Sequence, residues 1–81
     1  MGETDIQQLK ARVNADNQVF LQGGRYIAVD ADTLEERTEG GFVAKGKRKF
    51  AGLLWDSTLE KVYVVYDSNG RFLDYDSLPE D

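Results

Sequence analysis

The chain has no cysteine and no histidine, and only one proline, one methionine and one tryptophan among 81 residues. Without cysteine there is no disulfide, no thiolate nucleophile and no thiolate metal ligand, which suits a reducing compartment. Without histidine the usual near-neutral acid–base group and the commonest metal ligand are both missing. No apolar run approaches the roughly 18 residues of a membrane-crossing helix, and the N-terminus carries neither the basic nor the apolar region of a secretory signal. Met1-Gly2 does not complete a myristoylation pattern, because position 6 is Ile. The expectation is a cytoplasmic protein with no membrane contact.

Catalytic signatures are equally sparse. No serine sits in a Gly-x-Ser-x-Gly elbow, and no glycine fingerprint joins a strand to a helix. The acids crowd into turns, where solvation is their usual fate, rather than standing across a cleft as a pair of hydrolytic carboxylates must. Asp30-Ala31-Asp32 resembles the start of a calcium loop, but its sixth and twelfth positions would be Glu35 and Gly41 instead of glycine and a bidentate glutamate. A solvated turn explains it better. We therefore expect a non-enzyme with no catalytic residue, cofactor or metal.

What is present is β-rich. A chain of this length makes one domain, 1–81, burying about 60–65% of its unfolded surface. Its organising stretch runs from Arg48 to Asp76. Lys61 to Asp67 is almost wholly β-branched or aromatic, the composition of a pleated, half-buried surface. Asp67-Ser68-Asn69-Gly70 supplies a turn into a partner strand. A three-residue loop would pair Asp67 with Arg71, Val65 with Leu73 and Tyr63 with Tyr75; a two-residue loop would pair Tyr66 with Leu73 and Val64 with Tyr75. The first sets opposite charges at the closing pair and is preferred. Phe50 to Trp55 reads as the strand before, returned by a turn at Asp56 to Leu59, with Gly52 marking a bulge or close approach. Both faces of the central strand are apolar, Val62, Val64 and Tyr66 on one and Tyr63 and Val65 on the other. One aromatic face is thus either covered or left exposed.

Upstream, Thr4 to Asn14 is the one convincing helix, with a Thr4–Gln7 capping box and an apolar stripe of Ile6, Leu9 and Val13. At about three turns it is marginal alone and must dock on the sheet. Gln18–Gln22 and Arg25–Ala31 read as a hairpin around Gly23-Gly24, with Phe20 facing Ile27 and Leu21 facing Tyr26. Strands are expected at about 18–22, 25–31, 35–44, 48–55, 61–67 and 71–76, followed by a frayed acidic tail over 77–81. The fold class is α+β: a short N-terminal helix on a five- to six-stranded antiparallel β-meander, open or curled into an SH3-like partly open barrel.

Two functional readings compete. The favoured one is a small protein-binding module, inhibitor or accessory protein that uses an aromatic sheet face or edge and an acidic surface, with Trp55, Tyr75 and Tyr63 as contacts. A protein partner of unspecified identity is expected. The alternative is nucleic-acid binding. Lys45, Lys47, Arg48 and Lys49 are four of the ten basic residues, gathered in five positions of a chain whose net charge is −5. Read as a hairpin loop, they would form an anion-binding fingertip, with Phe50 or Tyr63 stacking bases. Self-association by strand addition at a sheet edge is a third reading.

Overall fold

A computed structural model of the chain describes residues 4–79. It contains one short helix, α1 (Ile6–Ala15), and five strands: β1 (Gln18–Phe20), β2 (Arg25–Glu36), β3 (Phe42–Phe50), β4 (Ser57–Tyr66) and β5 (Phe72–Ser77). The strands form a single antiparallel sheet in the order β1-β2-β3-β4-β5, curled into a half-barrel with β1 and β5 at its edges. Met1, Gly2, Glu3, Glu80 and Asp81 lie outside the described residues.

The helix forms where its apolar spacing requires. Leu9 and Val13 are buried, and Ile6 packs beside them against the sheet. Its cap differs from the expected Thr4–Gln7 box. Asp5 is the N-cap, accepting the Gln8 N–H at 2.9 Å. Thr4 is used for tertiary anchoring instead: its N–H donates to Ser68 O at 3.0 Å and its hydroxyl to Asn69 O at 2.9 Å. Arg12 donates to Gly70 O at 2.9 Å. The turn between β4 and β5 therefore holds the helix at both ends of its buried stripe.

The core is the layer between α1 and the sheet. Ile27, Val29, Ala31 and Leu34 of β2, Phe42 and Ala44 of β3, and Val62, Val64 and Tyr66 of β4 close over Leu9 and Val13. Each fully buried aliphatic side chain contributes about 1.5–3 kcal/mol. No side chain carrying a polar group is stranded there without a partner among the described residues.

Several expected boundaries are corrected. The five strands fall within the five to six expected, but β2 runs unbroken from 25 to 36 and takes in the start of the strand expected over 35–44. Between Asp30 and Glu35 its register against β3 slips by three residues. That corner lets both Ala31 and Leu34 turn inward. The segment 45–49 is not a hairpin loop but the middle of β3, paired on both sides. Gly46 is a contact glycine rather than a turn glycine: a Cβ there would lie 2.6 Å from Ala28 O and 3.1 Å from Ile27 Cγ2. Its absent side chain lets β2 and β3 approach where the sheet curls.

The strand expected over 48–55 ends at Phe50. Residues 51–56 are the connecting loop, and β4 already begins at Ser57, so no turn occupies 56–59. Leu59 is instead the extra residue of a bulge opposite Arg48 and Lys49. The β1–β2 hairpin pairs Phe20 with Tyr26 and Val19 with Ile27, one residue from the expected register. Leu21 and Arg25 close a three-residue loop, with Gly23 and Gly24 both at positive φ. At the β4–β5 turn both anticipated registers occur in succession. The Asp67 N–H donates to Arg71 O and Tyr66 pairs with Phe72, after which a bulge shifts the pairing to Val64–Tyr75 and Tyr63–Asp76. Within the tail, Ser77 belongs to β5, and the Leu78 N–H donates to Lys61 O at 3.0 Å, so neither is frayed.

Candidate functional site

Strand alternation sorts the basic cluster. Phe42, Ala44, Gly46 and Arg48 point to the helix side of the sheet, and Val43, Lys45, Lys47 and Lys49 to the other. The four expected anion contacts are therefore divided. Arg48 is committed on the helix side, where its Nε and Nη2 each lie 2.8 Å from Glu60 Oε2. Ser77 donates to the other carboxylate oxygen at 2.7 Å. These hydrogen bonds, from Ser77 first and then Arg48, hold the Glu60 carboxyl below the usual glutamate range.

On the opposite face the β3–β4 register adds a lysine that sequence reasoning missed. Lys61 stands directly beside Lys47, and Tyr63 beside Lys45. The signal was the pattern Lys61-Val62-Tyr63, whose facing becomes legible once the loop is placed at 51–56. None of Lys45, Lys47, Lys49 and Lys61 makes an ion pair among the described residues. An open groove of about 370 Å³ has Lys45, Lys47 and Lys61 in its walls, with Ala28 and Leu78 supplying apolar surface; Lys49 stands outside it. A shallower hollow of about 200 Å³ adjoins it through Thr33, Lys45 and Leu78 and reaches Tyr63. Two acids border these spaces, Asp30 and Glu35. Asp30 is occupied locally, its Oδ1 accepting the Asp32 N–H at 3.1 Å.

A second unusual surface lies at the β3–β4 loop. Leu53, Leu54 and Trp55 are 104%, 85% and 71% exposed. The loop is tightly turned, because a Cβ on Gly52 would run into the Trp55 carbonyl oxygen. Its far end is tied down where the Tyr26 hydroxyl donates to Asp56. Tyr26 itself is buried, with the exposed ring of Phe20 directly across at a centroid distance of 6.3 Å. That hydrogen bond, followed by burial and the Asp56 charge, raises the Tyr26 hydroxyl above the ordinary tyrosine range.

The three residues expected at a protein contact do not converge. Trp55 is in the apolar loop, Tyr63 is half-buried on the lysine face, and Tyr75 packs against the core from β5. Leu53 and Leu54, which the sequence placed inside a strand, share Trp55's surroundings instead. The β5 edge has its own protection: Asp74 and Asp76 accept the N–H of Tyr75 and Ser77, each at 2.8 Å. Carboxylates so placed discourage an incoming strand. No protein-family model, curated protein or solved structure matches this chain.

Proposed function

We propose that this is a small non-enzymatic protein-binding module, of the inhibitor or accessory type, that engages its partner through the loop Leu53-Leu54-Trp55. The observation that carries this reading is the exposure of three consecutive large apolar side chains on a loop held at one end by the Ala51 N–H donating to Gly24 O and at the other by the Tyr26 hydroxyl donating to Asp56. Contiguous apolar surface costs free energy in water and is a mark of an interaction site. Tryptophan is enriched among the anchors of such sites, and the two leucines beside it add apolar surface that excludes water around it. The partner's matching feature is a concave apolar pocket, into which a narrow loop fits better than a flat face does.

The test is a photo-reactive phenylalanine analogue placed at Leu54 in the full chain and irradiated in its native host. A protein adduct that disappears when Trp55 is changed to Ala, and persists when Lys45 and Lys47 are changed to Gln, supports the reading. Adducts formed only with lipid, or a set of protein adducts unchanged by Trp55→Ala, would overturn it.

A further inference from the structure

A separate site follows from the lysine face. We propose that Lys45, Lys47, Lys49 and Lys61 hold the phosphates of single-stranded nucleic acid along β3, with Tyr63 stacking on a base. Three of these lysines are at alternate positions of one strand, so they recur along it about every 6.6–6.8 Å. Lys61 widens the row beside its centre, and Tyr63 lies next to the Lys45 end. Acids share this face, Asp30 beside Lys45 and Asp76 beside Tyr63, but none is the cross-strand neighbour of Lys47, Lys49 or Lys61. The chain as a whole is acidic, but the neighbouring Lys47, Lys49 and Lys61 set a local field of their own.

The chemistry selects among polyanions. Lysine is a point charge suited to phosphate contact without the planar fork of arginine, and the one arginine of the cluster is paired with Glu60. β3 lies inside the sheet with its backbone groups paired to β2 and β4. An acidic peptide would therefore find no free sheet edge to extend here and could use side chains alone. A nucleic-acid strand needs only side chains: charge for its backbone and flat apolar surface for its bases. Tyr63, Ala28 and Leu78 offer that surface. The face presents no helix or projecting ribbon to enter a duplex major groove, which favours single strands.

The experiment is fluorescence polarisation of a 5′-labelled oligothymidylate titrated with the full chain across a range of salt. Four phosphate contacts to a single strand give a slope of log K against log salt of about −3, and Lys45→Gln with Lys47→Gln together reduces it by about 1.4. Tyr63→Ala weakens binding about tenfold or more with the slope unchanged. Changing Leu53 and Leu54 to Ser leaves all of this intact, so loss of the protein-binding reading does not carry this one with it. Absence of binding at low salt overturns the proposal. A slope unmoved by the lysine changes in variants that melt like the parent does so too. Equal affinity for heparin or polyglutamate, with Tyr63→Ala without effect, replaces it with a general polyanion surface.

Discussion

The phenolic hydroxyl of Tyr26 on β2 donates a hydrogen bond to Oδ2 of Asp56, the last residue of the apolar loop. This contact joins a buried aromatic to the base of an exposed one, and it keeps Leu53, Leu54 and Trp55 presented. Tyr26→Phe preserves the ring and removes the tether. Trp55 is the chain's single tryptophan, so its fluorescence anisotropy reports the loop alone. We expect a lower anisotropy in Tyr26→Phe and weaker capture of the partner.

The same bond sets an alkaline limit. The Tyr26 hydroxyl is raised, so the folded state holds that proton more tightly than the unfolded chain does. Its contribution is complete below the ordinary tyrosine value of about 10 and is lost as pH rises through the folded value. Burial raises Tyr66 in the same direction, and that contribution remains in Tyr26→Phe. Urea melts across this range should show wild type losing stability more steeply than Tyr26→Phe.

At the acid end Glu60 acts in the opposite sense. Its pKa is lowered by Ser77 and Arg48, so its contribution is present above the ordinary carboxylate value of about 4.3 and lost as pH falls through the folded value. Glu60→Gln should lower stability at pH 7 and flatten its decline below about pH 4.5. Glu39, lowered by its own backbone, Thr38 and Arg37, keeps part of that decline in the variant.

The helix start separates two capping schemes. Because Asp5 accepts the Gln8 N–H, Asp5→Ala should cost about 0.5–2 kcal/mol. Gln7 is an exposed residue outside that cap, so Gln7→Ala should fall within about 0.5 kcal/mol of wild type. Comparable losses from the two would restore the reciprocal Thr4–Gln7 box.

Gly46→Ala tests the curl of the sheet. The added methyl would press on the backbone of β2 at Ala28 and Val29, which cannot swing aside as a side chain can. The expected loss is about 1–3 kcal/mol. Altered spacing of Lys45 and Lys47 would accompany it, visible as weaker oligothymidylate binding after correction for the unfolded fraction.

Much of the architecture could be read locally. The Ile6, Leu9 and Val13 spacing marked the helix, the β-branched run from Val62 to Tyr66 marked an interior strand, and Asp67 to Gly70 marked its turn. These are short-range patterns, and the chemistry that produces them acts between residues a few positions apart. The exposed loop was misread for the same reason: Leu53-Leu54-Trp55 has strand composition, and only the lack of anything to pack against makes it a loop.

Residue order alone left the facing of the cations open. Which side of β3 carries Lys45, Lys47 and Lys49, and that Lys61 joins them while Arg48 leaves, depends on pairings across three strands. Side chains alternate with period two, so a single-residue shift exchanges the faces. The bulges at Leu59, at the 30–35 corner and at Leu73 introduce such shifts, and the sheet that carries them closes over Leu9 and Val13. Composition thus dictated a helix-backed sheet, and long-range packing chose which of its charges would stand together.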